Sequence, residues 1–321
     1  MQRILITGGM GYIGGRIVSF LKENAPDSCI FLTTRNKSGV LSSWTEKFSV
    51  QQINLLDKNS IADCLSYNKI DVIIHLAALN EIDSLGDPGL ALKVNTQGTY
   101  NLLNAAIQCK VKRFIYFSTF HVYGETAVDV ITEETLTKPL HPYAITHRAA
   151  EDFVAFFNRY YKMQTLIFRL SNGYGYPMNR DINRWTLVFN DLCRQAVTSG
   201  RIVLKSSGKQ HRDFISLYDV ARAVHYFLFA VPNKWGDGLY NLGGNCSMSI
   251  LDVAKKISNV YKTKYKKEIL EIKTGQDGGG SIAPKPVKYN IDKITKTGFT
   301  LEGDMISEIE RTMDVCEEFV K

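Results

Sequence analysis

The chain has 321 residues, of which 45% are hydrophobic and 22% are charged, and this composition excludes a disordered or low-complexity protein. The formal net charge is +7, and a lysine-rich stretch between Lys255 and Lys267 carries much of it. We expect a solvated surface there, with a field that favours anionic substrates as the alternative. The sequence contains no nucleic-acid motif and no apolar run of about 18–20 residues, so we expect neither nucleic acid nor a membrane as a partner.

The N-terminus leads directly into a predicted strand, without a cleavable signal pattern. The six cysteines are scattered, without the spacing of metal ligands. We therefore expect free thiols, a cytoplasmic location and no metal site.

A buried strand from Ile4 to Thr7 opens the chain and leads into a glycine-rich turn and an apolar-periodic helix. Gly8, Gly11 and Gly14 follow the spacing at which a backbone turns sharply and approaches a dinucleotide pyrophosphate. The helix would offer the phosphates its first N–H groups, near Tyr12 and Ile13. An ordinary strand-to-helix turn is the alternative, because a glycine trio alone is a weak signal.

The second predicted strand, Ile30 to Thr33, ends without the acidic residue that often holds the adenosine ribose hydroxyls. Arg35 stands there instead, and an arginine can pair with a 2′-phosphate. This pattern favours NADP over NAD. The alternative is that Arg35 simply points to water.

Two further strands are predicted at residues 48–55 and 71–78. Asp57 follows the first, where it could accept from the adenine amino group or cap the next helix. The second ends in Leu76, Ala77 and Ala78, and small side chains there would let a cofactor ribose lie close to the backbone. A helix over residues 91–109, which carries Asn95, then precedes a fifth strand. The alternation of strands and helices predicts an α/β fold with a doubly wound, Rossmann-type parallel sheet.

The fifth strand, from Arg113, runs into Thr119 and His121 at the sheet edge where ligands bind in such folds. A helix is then predicted to start at Pro142. It places Tyr143 and His147 one turn apart on the same helix face. For Tyr143 alone, a core aromatic is the alternative.

Several motifs together resemble the extended short-chain dehydrogenase/reductase family, which includes nucleotide-sugar epimerases, dehydratases and ketoreductases. The resemblance covers nearly the whole chain. It rests on the glycine turn, the Asp57 position, the strand end at His75–Ala78, Asn95, the segment Ser118–Gly124, Tyr143, the run Arg169–Gly175 and the run Arg212–Ile215 before Asp219.

The resemblance implies a dinucleotide-binding domain over residues 1–170 and a smaller α/β domain for the nucleotide sugar over residues 171–321, with some chain crossing back between them. It implies that Tyr143 exchanges a proton with a sugar hydroxyl or ketone, beside the hydroxyl of Thr119. It also implies that Asn172 and Arg212 hold the substrate diphosphate, and that Asn95 and His147 belong to the cofactor site. His121 would act as a second acid or base, with a packed or substrate-contacting imidazole as the alternative.

The main departure from the family is His147, because the family pattern Tyr-x-x-x-Lys reads Tyr-x-x-x-His in this chain. A lysine holds the nicotinamide ribose and lowers the pKa of the tyrosine by its permanent charge. A histidine is only partly charged near neutrality, so we expect Tyr143 and His147 to titrate as a coupled pair. Arg148 points about 100° away on the helix and is a doubtful substitute.

Phe120 and His121 stand where the 4,6-dehydratases resemble one another in an acidic residue or pair, which disfavours a dehydratase. A nucleotide-sugar epimerase and a 4-ketoreductase that consumes NADPH both remain, and the absence of an acid near Arg35 slightly favours the reductase. A non-catalytic dinucleotide-binding regulator is the alternative from another class. The resemblance also implies a homodimer that packs the helices near Asn95–Cys109 and Tyr143–Tyr161 against their mates.

Beyond Asn172, helices are predicted at residues 184–199, 219–231, 250–261 and 305–319, with short strands at residues 202–204 and 239–242. Trp185 is expected in the core. The glycine-rich segment from Gly275 to Ser281 is predicted to be a loop.

Overall fold

The computed structural model describes residues 1–35, 42–125, 128–276 and 288–320. The strands are β1 Arg3–Thr7, β2 Cys29–Thr34, β3 Ser49–Gln52, β4 Val72–His75, β5 Arg113–Thr119, β6 Val130–Ile131, β7 Gln164–Leu170, β8 Asn172–Tyr174, β9 Ile202–Leu204, β10 His211–Ser216, β11 Leu239–Leu242, β12 Ser247–Ser249, β13 Ile272–Thr274 and β14 Lys288–Tyr289.

The α-helices are α1 Tyr12–Asn24, α2 Lys58–Tyr67, α3 Glu81–Gly86, α4 Pro88–Ala91, α5 Gly98–Gln108, α6 Pro142–Tyr161, α7 Val188–Ser199, α8 Leu217–His225, α9 Ile250–Tyr265, α10 Asp292–Thr295 and α11 Met305–Glu317. Short 3₁₀ segments lie at Ser43–Thr45 and Phe120–Tyr123, and π-helical turns lie at Leu92–Gln97 and Tyr226–Ala230. None of the described helices is both long and apolar enough to cross a bilayer.

The chain divides into two compact units that are not contiguous in sequence. The first unit comprises residues 1–127, 133–170 and 221–242, and the second comprises residues 128–132, 171–220 and 243–321.

Seven parallel strands form the sheet of the first unit, in the order β11-β7-β5-β4-β1-β2-β3. The direction of strand order reverses between β1 and β4, which is the point where open α/β sheets bind ligands. The predicted Rossmann-type fold class is therefore confirmed. The core of this unit includes Leu5, Ile73, Phe114 and Phe157, which belong to strands and helices that are apolar because both sides of a parallel sheet are covered.

The second unit contains three small sheets, with strand orders β12-β10-β8, β13-β9 and β14-β6. Its core includes side chains of the three long helices α7, α9 and α11, such as Phe189, Ile257 and Met313. Ser249 caps α9, as the sequence predicts, by accepting a hydrogen bond from the N–H of Asp252. Asp213 stabilises the strand ends, because its carboxylate accepts hydrogen bonds from the N–H groups of Gly244 and Cys246.

Several predicted elements are shorter or interrupted. Within the strand predicted at residues 48–55, only Ser49–Gln52 (β3) is a strand in the structure. Within the one predicted at residues 71–78, only Val72–His75 (β4) is a strand. The helix predicted from residue 184 begins at Val188, because Trp185 is already buried and its indole N–H donates to the carbonyl of Arg180. The helices predicted at residues 91–109 and 219–231 each contain a π-helical turn. The glycine-rich segment lies largely in residues 277–287, outside the described ranges.

A buried ion pair ties α6 to the central sheet. Arg169 of β7 donates to both carboxylate oxygens of Glu151, with Nε–Oε1 at 3.0 Å and Nη2–Oε2 at 2.7 Å. The same guanidinium donates to the hydroxyl of Tyr123, which in turn donates to the side-chain carbonyl of Asn241 on β11. Burial alone would lower the pKa of Arg169, but the hydrogen bonds and charge of Glu151 outweigh it and raise that pKa. One helix and two strands therefore depend on one charged network.

Glu151→Ala should lower the free energy of unfolding by about 3–5 kcal/mol, because it leaves a buried guanidinium without its counter-ion. The matched control is Asp152→Ala, which removes the neighbouring surface pair with Arg148, where the Asp152 side chain is 67% exposed. That control should cost less than about 1 kcal/mol. Urea unfolding of both variants measures the difference, and equal losses would show that the buried network does not anchor α6.

Candidate active site

The turn after β1 is built around two glycines that no other residue can replace without strain. Gly8 has φ +68°, and a Cβ built on it would lie 2.9 Å from the N atom of Ala77. A Cβ on Gly14 would lie 2.2 Å from the carbonyl oxygen of Gly8. The turn, the start of α1 and the chain after β4 therefore approach one another at backbone distance.

The N-terminus of α1 is suited to an anion. Gly11 is its N-cap residue, no side chain in the described part of the protein caps it, and its first turn contains no acidic residue. The first N–H groups of a helix lack intrahelical partners, and the helix dipole favours negative charge there. Tyr12 is buried at this end of the helix and Ile13 is half-buried. The geometry fits the pyrophosphate that the glycine spacing predicts.

Further residues predicted to contact the cofactor lie at the ends of neighbouring strands. Arg35 is exposed directly after β2, and its guanidinium forms no ion pair within the described part of the chain. Asp57 caps α2 through one carboxylate oxygen, which accepts from the N–H groups of Asn59 and Ser60. The capping interpretation of Asp57 is thus confirmed, and its contact with adenine stays a prediction. Leu76, Ala77 and Ala78 are half-buried after β4.

His75 is held as a neutral imidazole between two threonines. Its Nε2 lies 2.9 Å from Thr99 Oγ1, and its Nδ1 lies 2.6 Å from Thr7 Oγ1. The Thr99 hydroxyl donates its single hydrogen to the carbonyl of Asn95, so Nε2 carries the imidazole hydrogen and Nδ1 accepts from Thr7. Burial, with a smaller contribution from His147, lowers the pKa of His75 to about 3. The pair β1 and β4 is therefore joined by an uncharged contact.

Asn95 is 1% exposed, and its amide is engaged inside the protein. Its carbonyl oxygen accepts from the N–H of Leu79 at 2.7 Å, and its Nδ2 donates to Thr146 Oγ1 at 3.0 Å. These bonds position the chain after β4 against α6. A direct contact between Asn95 and the cofactor stays a prediction.

The predicted catalytic residues lie together in the first unit. Thr119 is the last residue of β5, and its Oγ1 accepts from the N–H of His121. Tyr143 is half-buried in the first turn of α6, which begins at Pro142 as predicted. The exposed ring of His121 lies 6.4 Å from the ring of Tyr143, centroid to centroid. The structure therefore places a hydroxyl, a phenol and an imidazole at the carboxyl end of β5.

His147 is also close to Tyr143, with a ring-centroid distance of 4.4 Å and a T-shaped arrangement. The imidazole of His147, however, is neutral near pH 7, whereas the sequence predicts a partly charged one. His147 is only 3% exposed, and burial, with a smaller contribution from His121, lowers its pKa to about 3. The expected coupled titration of Tyr143 and His147 near neutrality is therefore wrong, because His147 is already neutral there. Arg148 does not replace the charge, since it donates to Thr137 and pairs with Asp152.

Two buried polar atoms beside these residues have no hydrogen-bond partner within the described ranges. They are His147 Nε2 and Ser118 Oγ, and Ser118 directly precedes Thr119. Buried polar groups are normally satisfied, so these two atoms are available for hydrogen bonds to a bound ligand. These two atoms, the glycine turn and the start of α1 together fit a dinucleotide. Its pyrophosphate would bind at the turn, and its other polar groups would bind the two buried atoms.

The two residues predicted to hold the substrate diphosphate lie in the second unit. The side-chain amide of Asn172, on β8, donates to the carbonyl of Asp213 at 2.9 Å, and Arg212 is exposed on β10. Since β8 and β10 are neighbouring parallel strands, this bond spans the strand pair. The position of Arg212 is compatible with an anionic ligand, and the diphosphate roles stay predictions.

The sequence interpretation missed Tyr116, whose Oη lies 2.7 Å from His147 Nδ1, and Ser118. Both are on the same face of β5, because side chains alternate along a strand. The sequence does show two polar residues at alternate positions inside a strand whose interior is otherwise apolar, and this pattern indicates a polar contact on that face of the strand.

Comparison with known proteins supports a single family. The model of the NAD dependent epimerase/dehydratase family matches residues 4–243. The dTDP-D-glucose 4,6-dehydratase of Mus musculus is 30% identical over 273 residues, which cover 81% of this chain and 73% of that protein.

Solved structures share the fold. The UDP-glucose 4-epimerase of Thermotoga maritima, solved with UDP-glucose, has a TM-score of 0.83 at 22% identity and covers 100% of both chains. The UDP-glucose 4-epimerase of Thermus thermophilus, solved with NAD, has a TM-score of 0.81 at 22% identity over 98% of this chain and 99% of that one. The predicted family resemblance is confirmed.

The two buried histidines predict a stability that falls in acid. Between the ordinary pKa of 6.5 and the folded pKa of about 3, the unfolded chain binds a proton that the folded chain does not. The free energy of unfolding should therefore fall as the pH drops through this window, by up to about 1.4 kcal/mol per pH unit for each histidine.

His147→Gln should remove one such contribution and flatten the curve, whereas His211→Gln, at an exposed histidine, should leave it unchanged. Urea unfolding between pH 7 and pH 4 measures both variants. If His147→Gln loses stability as steeply as the wild type, then folding does not hold His147 neutral.

Proposed function

The chain belongs to the NAD dependent epimerase/dehydratase family, and we propose that it transfers a hydride between a nicotinamide cofactor and a carbinol or keto carbon of a nucleotide-diphosphate sugar. One observation carries the proposal. Half-buried Tyr143 stands at the start of α6, with its ring 4.4 Å from buried His147, in the unit that also contains the glycine turn. A proton carrier is thus placed in the dinucleotide-binding fold itself.

The substrate class is supported by the relatives. The mouse protein is a dTDP-D-glucose enzyme, and the two structural neighbours are UDP-glucose epimerases. We propose that residues 1–170 bind the cofactor and that residues 171–321 bind the nucleotide sugar, with some chain crossing back between the two domains and with Asn172 and Arg212 at the diphosphate. The net charge of +7 favours such an anionic substrate.

Tyr143 has the central chemical role in this proposal. In the oxidising direction its phenolate oxygen takes the proton of the sugar hydroxyl, and in the reducing direction its O–H returns a proton to the ketone oxygen. The hydroxyl of Thr119 holds that same sugar oxygen by a hydrogen bond. The cofactor, when bound, takes up or returns the hydride.

The cofactor site is assigned as follows. Gly8, Gly11 and Gly14 let the backbone and the start of α1, at Tyr12 and Ile13, hold the pyrophosphate. Arg35 and Asp57 lie on the adenosine side, and Leu76, Ala77, Ala78, Asn95, Tyr143 and His147 lie on the nicotinamide side. We propose NADP as the preferred cofactor over NAD, because exposed Arg35 replaces the acidic residue that would repel a 2′-phosphate.

The reaction type is proposed as epimerisation or 4-keto reduction. Phe120 and His121 follow Thr119, so the positions where a 4,6-dehydratase is expected to carry an acid for eliminating water hold no carboxylate. The curated relative is nevertheless a dehydratase, which makes dehydration the second candidate. His121, exposed and near Tyr143, is the residue of this 3₁₀ segment that could exchange a proton in place of the acid.

A homodimer and a cytoplasmic location complete the proposal. The apolar side chains exposed on α6 are Ile145, Phe153, Phe156, Tyr160 and Tyr161. Tyr160 alone is 70% exposed, and a contiguous apolar face of this kind is typical of a protein interface. All six cysteines are free thiols, as expected in a reducing compartment.

Tyr143→Phe should abolish hydride transfer and leave cofactor affinity within about twofold, because only the proton carrier is removed. The measurement is absorbance of the reduced nicotinamide during a screen of keto and non-keto nucleotide sugars. Turnover without added cofactor would indicate the epimerase, consumption of NADPH the reductase, and a 4-keto-6-deoxy product the dehydratase. A wild-type protein that binds cofactor tightly and transfers no hydride would be the non-catalytic regulator.

Arg35→Asp should invert the cofactor preference, by removing a partner for the 2′-phosphate and adding repulsion. Lys47→Asp, also at an exposed basic residue of the first unit, is the charge-matched control and should change little. Titrations with NADP⁺ and NAD⁺ give the two dissociation constants. Identical curves for both cofactors in the wild type and in Arg35→Asp would remove Arg35 from the site.

Replacing two exposed aromatic residues of α6, in the double variant Phe156→Glu and Tyr160→Glu, should convert a dimer into a monomer without unfolding it, since both side chains are more than a third exposed. Mass measured by light scattering at micromolar concentration tests this. A monomeric wild type would contradict the proposed assembly.

A further inference from the structure

The hydrogen bond between Tyr116 and His147 joins the central sheet to α6 at the position where the family pattern has a lysine. Tyr116 Oη and His147 Nδ1 are 2.7 Å apart, and the two residues are 2% and 3% exposed. The other ring nitrogen of His147, Nε2, is buried and has no partner among the described residues. One side of this imidazole is therefore fixed by the protein, and the other side is unsatisfied.

Only two hydrogen arrangements are available to this pair, because burial keeps His147 neutral and raises the pKa of Tyr116 well above its ordinary value. In the first, Tyr116 donates its O–H to Nδ1, and the imidazole hydrogen is on Nε2. In the second, Nδ1–H donates to Tyr116 Oη. The phenol hydrogen then needs another acceptor, and no described residue provides one.

The two arrangements differ in how many buried polar groups they leave unsatisfied. The first leaves one donor, Nε2–H. The second leaves a phenol O–H and the Nε2 lone pair. A buried group without a hydrogen-bond partner does not recover the hydration that it loses on burial, so the first arrangement is favoured.

The titratable groups that surround His147 do not change this assignment. Tyr143 is close to His147 on the same helix, and His121 acts on it from the 3₁₀ segment after β5. His75 lies on the other side of the Tyr116 ring. His75 is itself neutral between two threonines. The carboxylate of Glu151, one turn further along α6, is bound by Arg169.

We propose that Tyr116 is a positioning residue that fixes His147 as the tautomer with hydrogen on Nε2, so that this N–H donates to a hydroxyl of the bound nicotinamide cofactor. The inference rests on the proposed cofactor site and deepens it. A lysine supplies both a donor and a positive charge. In this chain the donor is retained and the charge is absent, and the donor is directed by a phenol on the neighbouring strand.

The tautomer can be read in the wild-type protein without any cofactor. Long-range ¹H–¹⁵N correlation spectra of the ¹⁵N-labelled protein at pH 7 distinguish Nε2–H, Nδ1–H and the imidazolium, and the spectrum of His147→Gln identifies the signals of His147. We expect the Nε2–H pattern. An Nδ1–H or imidazolium pattern overturns the proposal.

The coupling of the two residues is tested by a double-mutant cycle on cofactor affinity. Tyr116→Phe should raise the dissociation constants of NADP⁺ and NAD⁺ by about tenfold in the wild-type background, because an undirected imidazole loses most of one hydrogen bond. In the His147→Lys background the same substitution should change them by less than about twofold, because an ammonium donates without a fixed tautomer. Equal losses in both backgrounds would mean that Tyr116 only supports the structure, and would overturn the proposal.

Tyr100→Phe is the matched control, since Tyr100 also packs its ring in the first unit, against Phe153 and Phe157, and should leave affinity unchanged in both backgrounds. The spectra decide the tautomer even if Tyr116→Phe does not fold. A protein with the expected spectra and coupling that transfers no hydride would contradict the proposed function and leave this inference standing.

Discussion

Exclusion of water from the space between the central sheet and α6 is the constraint on which the site depends. Two histidines lie there, His75 on β4 and His147 on α6, and burial lowers the pKa of each to about 3. A charged group in such a place would need a buried counter-ion, and the buried carboxylate on α6, that of Glu151, is already bound by Arg169. His75 and His147 are therefore neutral hydrogen-bonding groups, and His147 brings no positive charge to the proton transfer proposed for Tyr143.

The same helix carries both the chemistry and its anchor. Tyr143, His147 and Glu151 follow one another at intervals of one turn along α6, so they share one face of the helix. Glu151 fixes that face to β7 through Arg169, and His147 fixes it to β5 through Tyr116. One ion pair and one hydrogen bond thus contribute to fixing Tyr143 relative to the end of β5 on a rigid element, which is the arrangement that proton transfer requires.

Much of this could be predicted from the sequence. The apolar strands, the glycine spacing and the start of α6 at Pro142 are local patterns, and they predict the fold class, the turn after β1 and the pairing of Tyr143 with His147. The protonation of His147 could not be predicted, because it depends on burial by residues far away in sequence. The contact with Tyr116 spans 31 positions, and the roles of Asn95 and Arg169 as internal anchors depend on similar long-range bonds. The π-helical turns within two helices also have no simple sequence signal.

The proposed function requires that this chain moves a hydride to or from a ring carbon of a nucleotide sugar. The most direct measurement uses NADPH and NADH that carry deuterium at the transferable position, incubated with a panel of 4-keto nucleotide sugars, with the sugar products examined by mass spectrometry and NMR. Reduction by the wild-type protein should give a product with one deuterium on a carbon that bears a newly formed hydroxyl, and Tyr143→Phe should give no such product. Unlabelled sugars throughout the panel, together with no change of configuration in any nucleotide sugar incubated without added cofactor, would show that the chain moves no hydride.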